Sequence, residues 1–163
     1  MALPGIYAAA YLLAGPARGQ VQPAGVDLRV GEVHVFRESG YLGAEGRRIP
    51  ASEPLEPEGG AWLLSPGFYK AVFMDAVHIP ENTVATCFPR SSLLRMGALL
   101  GCAVWDPGYR GRGEALLVVG NPHGIRIEVG ARIAQLVFIR LYPQLGERYS
   151  GVYQGERLAR EQV

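Results

Sequence analysis

Glycine and proline interrupt this chain every few residues, and that spacing leaves no room for a long helix. The 22 glycines and 12 prolines are scattered over the 163 residues instead of clustering, and a helix interior tolerates neither residue well. Between them lie short runs rich in β-branched and aromatic residues: Val33 to Phe36, Ala61 to Leu64, Phe68 to Met74, Thr83 to Phe88, Ala115 to Val119, Ile125 to Val129 and Ile133 to Leu141. Turn residues bound nearly all of them, which is the pattern of strands. Many short strands with few helical periods predict an all-β sandwich, jelly roll or barrel.

Two short helical pieces are expected within that frame. Ile6 to Leu13 is closed by Ala14-Gly15-Pro16, and Ser91 to Met96 has Ser91 as N-cap and Gly97 as terminator. Glu38 to Gly60, rich in glycine, proline and charge, reads as a long excursion or hairpin arm within one domain. The length suits a single domain, assigned to residues 1–145. Residues 146–163 form a polar C-terminal tail that is expected to be mobile.

The charge balance narrows the choice of partners. A net charge of +1 provides no broad basic field, so neither nucleic acid nor an anionic membrane is an expected partner. No stretch approaches the roughly 20 apolar residues of a membrane-spanning helix. The apolar run Ile6 to Ala14 is short and lacks a preceding basic residue, unlike a secretory signal, so a cytoplasmic location is expected. Cys87 and Cys102 are too far apart for a redox or zinc motif and sit among apolar neighbours, so both read as small buried side chains. His34, His78 and His123 have no metal-ligand spacing.

Four segments carry groups suited to chemistry, and each also has a plain structural reading. Asp27 follows Pro23-Ala24-Gly25-Val26, where an aspartate often just bonds nearby backbone. Pro89-Arg90-Ser91-Ser92-Leu93-Leu94-Arg95 puts hydroxyls and arginines at a helix start, either a phosphate cradle or an ordinary capped helix. Gly101-Cys102-Ala103-Val104-Trp105-Asp106-Pro107-Gly108-Tyr109-Arg110-Gly111 ends an apolar strand in a turn. Asp106 there is either a turn residue or a carboxylate oriented and partly desolvated by buried flanks. In Gly130-Ala131-Arg132-Ile133-Ala134-Gln135-Leu136-Val137, Gln135 interrupts an apolar strand, and its amide needs a backbone loop or a ligand as partner.

In this order, over roughly residues 20–140, the four segments resemble one superfamily, the dUTP diphosphatases and dCTP deaminases. The resemblance is nearest to archaeal-type diphosphatases with deaminase-like features. It implies a dUTPase-like distorted barrel or jelly roll, assembled as a homotrimer with sites between subunits. It also implies magnesium as cofactor, held by substrate phosphates and water with no direct protein ligand. Carried over position by position, Asp106 would be the catalytic base that deprotonates the attacking water. Arg90 and Ser91 would contact the triphosphate, Ser92 and Arg95, which complete a deaminase-like Arg-Ser-Ser-Leu-x-Arg pattern, would also bind substrate, and Asp27 and Gln135 would organise the phosphate and metal region. Tyr109 would pack on the deoxyribose, and the backbone around Gly101 to Val104 would read the pyrimidine edge; in the tail, beyond the four matched segments, Tyr153 is expected to cover the base. Arg157 or Arg160 would reach the phosphates from a tail that closes over the site.

The choice between hydrolysis and deamination rests on one strand. The zinc deaminase pattern is absent. The zinc-independent dCTP deaminases use a glutamate after the Asp-Pro-Gly turn, and the corresponding position here is Leu116 or Val118, neither able to carry a proton. Glu114 shares a strand face with Leu116 and would need a β-bulge to replace it. The expected activity is therefore dUTP hydrolysis at the α-phosphate. A zinc-independent or bifunctional dCTP deaminase is the alternative, and a non-catalytic nucleotide-binding relative is the second.

Overall fold

The computed structural model describes residues 1–143, 146 and 148–158. Its elements run in the order α1 (Gly5–Ala8), a 3-10 turn (Ala9–Tyr11), β1 (Val21–Gln22), β2 (Gly25–Phe36), β3 (Tyr41–Leu42), β4 (Arg47–Arg48), β5 (Ser52–Pro54), β6 (Ala61–Leu64), β7 (Gly67–Phe73) and β8 (Val77–His78). They continue with β9 (Thr83–Pro89), α2 (Ser91–Arg95), β10 (Ala98–Gly101), β11 (Val104–Trp105), β12 (Arg110–Gly111), β13 (Glu114–Val119), β14 (Ile125–Glu128) and β15 (Arg132–Arg140). No described helix is long and apolar enough to cross a membrane.

The main sheet has nine strands. Its path is β10-β13-β7-β2-β15-β9-β11, with β1 and β5 paired onto β2. The two ends of that path, β10 and β11, are separated in the chain only by Cys102 and Ala103. So short a link forces the edges together, and the sheet curls into a half-barrel. Register shifts between Val30 and Glu32 in β2 and between Arg132 and Ala134 in β15 supply local bends.

The inner face of the curl is the core. Val26, Leu28, Val30 and Val33 of β2 are fully buried together with Phe73 of β7, Leu117 of β13, and Leu136 and Phe138 of β15. Each expected strand run is present within a residue or two of its predicted limits, apart from Val33 to Phe36, which is the end of the much longer β2. Arg29, Gly31 and Glu32 break the apolar pattern of that strand, and pairing to β7 and β15 overrides the break. Ala98–Gly101 also forms a strand, a result of its pairing with β13 that local sequence does not signal.

Other expectations need adjustment. The N-terminal helix is one α turn plus a 3-10 turn, because Leu12 bridges to Val77 and ends it. Ser91 is the first helical residue of α2, and Arg90 takes the N-cap position without a side-chain cap hydrogen bond. Gly97 does end that helix, with φ +79 and its N–H donating to the Leu94 carbonyl. The Glu38 to Gly60 excursion contains the β3–β4 hairpin and β5, which returns to pair with β2. Cys87 and Cys102 are not separate buried thiols but one disulfide, with Cα atoms 5.7 Å apart. Curling of the sheet, invisible in the spacing, brings β9 against the link after β10.

Candidate active site

Asp27 lies on β2 with only 1% of its surface exposed. Its Oδ2 accepts hydrogen bonds from Gln22 Nε2 and Arg132 Nη1, each at 3.1 Å, and pairs with Arg90 Nε at 3.1 Å. Its Oδ1 is buried without a hydrogen-bond partner among the described residues. Burial pushes the carboxyl pKa up, and the pull of Arg90 and Arg132 opposes it without cancelling it. Gln135 is half-buried and sits between Asp27 and Phe88 in the strand register. Arg132 stands in one of the quoted segments, but its role as a partner of Asp27 was not expected.

Beside this carboxylate, Arg90, Ser92 and Arg132 line a cavity of about 380 Å³, which Arg126 also borders. Ser91 and Arg95 are exposed on the same short helix but do not line it. The position of Arg90 follows from backbone: its N–H donates to the Ile133 carbonyl, which ties the start of α2 to β15. Three guanidiniums, of which Arg126 is paired with Glu128 on the same rim at 2.8 Å, and a hydroxyl around one opening leave a positive excess suited to an anion.

The turn between β11 and β12 builds the second group; those two strands pair with β9 and β8, not with each other, and the turn lies in the long loop of the hairpin that β10 and β13 form. Trp105 and Tyr109 are buried on either side of Asp106, which is itself exposed instead of partly desolvated. The Tyr109 N–H donates to the Asp106 carbonyl, and Gly108 has φ +80, a conformation that a side chain would strain. Asp106, Tyr109, Glu114, Tyr149, Tyr153 and Glu156 border a cavity of about 230 Å³. Asp106 also borders a larger one of about 610 Å³ together with Glu81, Arg148 and Tyr149. The hairpin cavity and the arginine-lined cavity share no residue.

Gly101 ends β10 directly opposite Leu116 on β13. The β13–β7 pairing is continuous from Glu114 to Val119, so the bulge that would carry Glu114 to the Leu116 position is absent. Glu114 instead pairs with Lys70 at 3.4 Å and with Arg157. Arg157 is thus committed to Glu114 and to Glu32, 3.8 Å away, not turned toward the arginine-lined cavity. Arg160 lies outside the described residues.

The described part of the tail folds back on the hairpin. Tyr149 N–H donates to Pro107 O at 2.7 Å, Gly155 N–H to Arg110 O at 2.8 Å, and Arg112 N–H to Glu156 O at 3.1 Å. Gln154 reaches the Gly108 carbonyl and the Arg110 N–H. The Tyr109 hydroxyl donates to Glu156 Oε1 at 2.7 Å. Glu156 was not among the expected site residues, and nothing in its polar neighbourhood in sequence signals it.

The same groups bear on metal binding. Among the described residues no cluster of three His, Cys, Asp or Glu could hold an ion directly. The orphaned Asp27 Oδ1 can accept from a metal-bound water. That donor set fits a magnesium ion carried mainly by phosphates and water, with Asp27 as outer partner.

A different network underlies this region. Asp75 is buried, pairs with Arg29 at 2.6 Å, and accepts from the Arg29 N–H at 2.7 Å and from Gln20 Nε2 at 3.0 Å. Gln20 also donates to the Asp27 carbonyl at 2.8 Å. These residues hold the start of β2 in place beneath the site. No sequence motif marked Asp75 or Gln20.

Known proteins agree with this architecture. The chain is 54% identical over 144 residues to a probable deoxyuridine 5'-triphosphate nucleotidohydrolase of Aeropyrum pernix, covering 88% of this chain and 91% of that one. It is 45% identical over 140 residues to a protein of the same name from Methanosarcina mazei, covering 84% and 82%. Among solved structures, the fold matches a 2'-deoxycytidine 5'-triphosphate deaminase from Agrobacterium tumefaciens with TM-score 0.64 and 21% identity, over 84% of this chain and 47% of that one. It also matches a point mutant of the dUTPase from phage phi11 of S. aureus with TM-score 0.53 and 15% identity, over 85% and 90%. The dCTP deaminase-like family model matches residues 8–141, which span the curled sheet, the arginine-lined group and the Asp106 turn, and the chain belongs to that family.

Proposed function

We propose that this chain is a dUTP diphosphatase that cleaves dUTP to dUMP and pyrophosphate, acting on the cytoplasmic nucleotide pool. The names of its archaeal relatives support that reading over most of the chain. The observation that carries the choice against deamination is the β10–β13 register. Gly101 faces Leu116 across an unbulged strand, so the hairpin segment proposed to read the base meets an alkyl side chain. An alkyl group cannot exchange the ring and water protons that deamination requires.

In the proposed reaction Asp106 accepts a proton from a water, whose oxygen bonds to the α-phosphorus. The bond from that phosphorus to the bridging oxygen breaks, and pyrophosphate leaves with the electron pair. Arg90, Ser91, Ser92 and Arg95 bind the triphosphate and offset its charge, while Asp27 and Gln135 orient that region. Magnesium, when bound with the nucleotide, adds positive charge beside the phosphates. Gly101 presents backbone to the base, Tyr109 packs on the sugar and Tyr153 covers the base.

The arginine-lined cavity and the Asp106 cavity have no common residue within one chain. A homotrimer that brings the hairpin of one copy to the arginines of another supplies a complete site, with residues 1–145 as the core domain and 146–163 as the closing tail. The test is incubation of the chain with magnesium and either dUTP or dCTP. Pyrophosphate from dUTP without ammonia from dCTP is the expected result. Ammonia as the main product would overturn the reading and return Glu114, which borders the same cavity as Asp106, to the catalytic role.

A further inference from the structure

We infer that Glu156 is a positioning residue for sugar discrimination, its carboxylate fixing the Tyr109 ring that faces the deoxyribose. The inference rests on the dUTP reading above and assigns a part of that site to the tail. Tyr109 is 5% exposed, and its hydroxyl has Glu156 as partner at 2.7 Å. Packing holds the plane of a buried tyrosine ring, and a hydrogen bond from its hydroxyl to a side-chain oxygen at the far end removes the remaining tilt. Trp105 and Tyr149 flank the ring with centroids at 5.5 and 5.9 Å, which leaves the hydroxyl as the point where orientation is set.

Three further observations show that the contact is built. The backbone on both sides of Glu156 is pinned to the hairpin, by Gly155 N–H to Arg110 O and by Arg112 N–H to Glu156 O. The next residue, Arg157, has φ +56, the sole non-glycine in the left-handed region among the described residues. Its side chain is committed to Glu114 and Glu32, and such double anchoring is how a disfavoured backbone persists. Finally, Gly111 leaves the gap that the pair occupies. A Cβ there would lie 2.7 Å from the Tyr109 hydroxyl oxygen and 3.1 Å from Glu156 Cγ.

The reason this bears on specificity is steric. Discrimination against a ribose 2′-hydroxyl by a packed ring depends on the ring not yielding, because a side chain free to tilt accommodates one extra oxygen. Burial and the Glu156 contact both raise the Tyr109 pKa, so the phenol stays protonated and keeps donating. On this account Glu114 serves the same device through Arg157.

The experiment measures kcat/KM for dUTP and for UTP with the full chain and magnesium, in wild type, E156A, E156Q, Y109F and the Y109F/E156A double variant, each with its unfolding transition. E156A is expected to lower the dUTP-over-UTP ratio by about tenfold or more without a matching loss of fold. E156Q keeps an acceptor and restores the ratio, and the double variant is no worse than the poorer single one, since the two groups act as one unit. G111A provides the same test with Glu156 intact. A ratio for E156A within about twofold of wild type, or an E156Q as poor as E156A, overturns the inference while leaving dUTP hydrolysis standing. A wild-type chain that turns over neither nucleotide removes the dUTP reading itself, and the inference with it.

Discussion

Arg90 and Asp27 meet across the sheet, the guanidinium Nε 3.1 Å from the Oδ2 of a carboxylate that has almost no contact with solvent. The pair links the start of α2 to the start of β2, and Arg132 closes on the same oxygen from β15. Burying a charge in this way costs stability that the ion pairs only partly return, and a net rise in the Asp27 pKa records the imbalance.

Removing Arg90 exposes the imbalance. A carboxyl whose folded pKa is raised contributes most to stability below its unfolded value, and loses that contribution as pH rises through the folded pKa. Arg90→Ala takes away a group that lowers the Asp27 pKa, so the folded pKa climbs further and the loss at neutral pH grows. The variant is expected to be less stable by about 1–3 kcal/mol at pH 7.5, with a smaller deficit near pH 4. Urea unfolding at the two pH values checks this, and an equal deficit at both would refute it.

Asp106→Asn tests the proposed base. The side chain is exposed at a turn whose shape is set by backbone and by Gly108, so the amide should leave the fold and nucleotide binding largely intact. Turnover is expected to fall by about 10²–10⁴-fold. Near-normal turnover in a variant that still binds dUTP would exclude Asp106 from the mechanism.

Docking of the tail should depend on pH through Glu156. Burial raises its pKa most, the hydrogen bond from Tyr109 and the charges of Arg157 and Lys70 lower it, and Glu114 raises it. The net shift is upward, so docking is strongest when the carboxyl is protonated and weakens as pH rises through the docked pKa. At pH 7.5, Glu156→Gln should dock more tightly than wild type, read as slower hydrogen exchange at the Gly155 amide, which bonds to Arg110 O. Faster exchange in the variant would reverse the assigned sign.

The Cys87–Cys102 disulfide ties β9 to the link between the two sheet edges. A sequence separation of 15 residues corresponds to about 3 kcal/mol of stabilisation by restriction of the unfolded chain. Unfolding of the oxidised wild type should therefore shift on adding reductant, and Cys102→Ser should show no such shift. Identical wild-type curves with and without reductant would mean that the bridge adds nothing to stability.

Much of this protein was legible before any coordinates. The strand runs from Ala61 to Leu64 and from Thr83 to Phe88 could be read from β-branched and aromatic residues between turns, because a strand's side-chain pattern is local. The four ordered segments pointed to the family for the same reason: each is a short stretch whose residues are close in sequence. The extended β2 was not legible, since Arg29, Gly31 and Glu32 disrupt its pattern and only pairing on both sides makes it a strand. Chain order alone determined the all-β class and the candidate residues. Tertiary structure decided which groups meet: Cys87 with Cys102, Asp27 with Arg132, Glu114 with Arg157, and Tyr109 with Glu156. Those pairs depend on the curl of a sheet whose edges close on each other and on a tail that folds back, and such long-range geometry leaves no periodic trace in the residues that it joins.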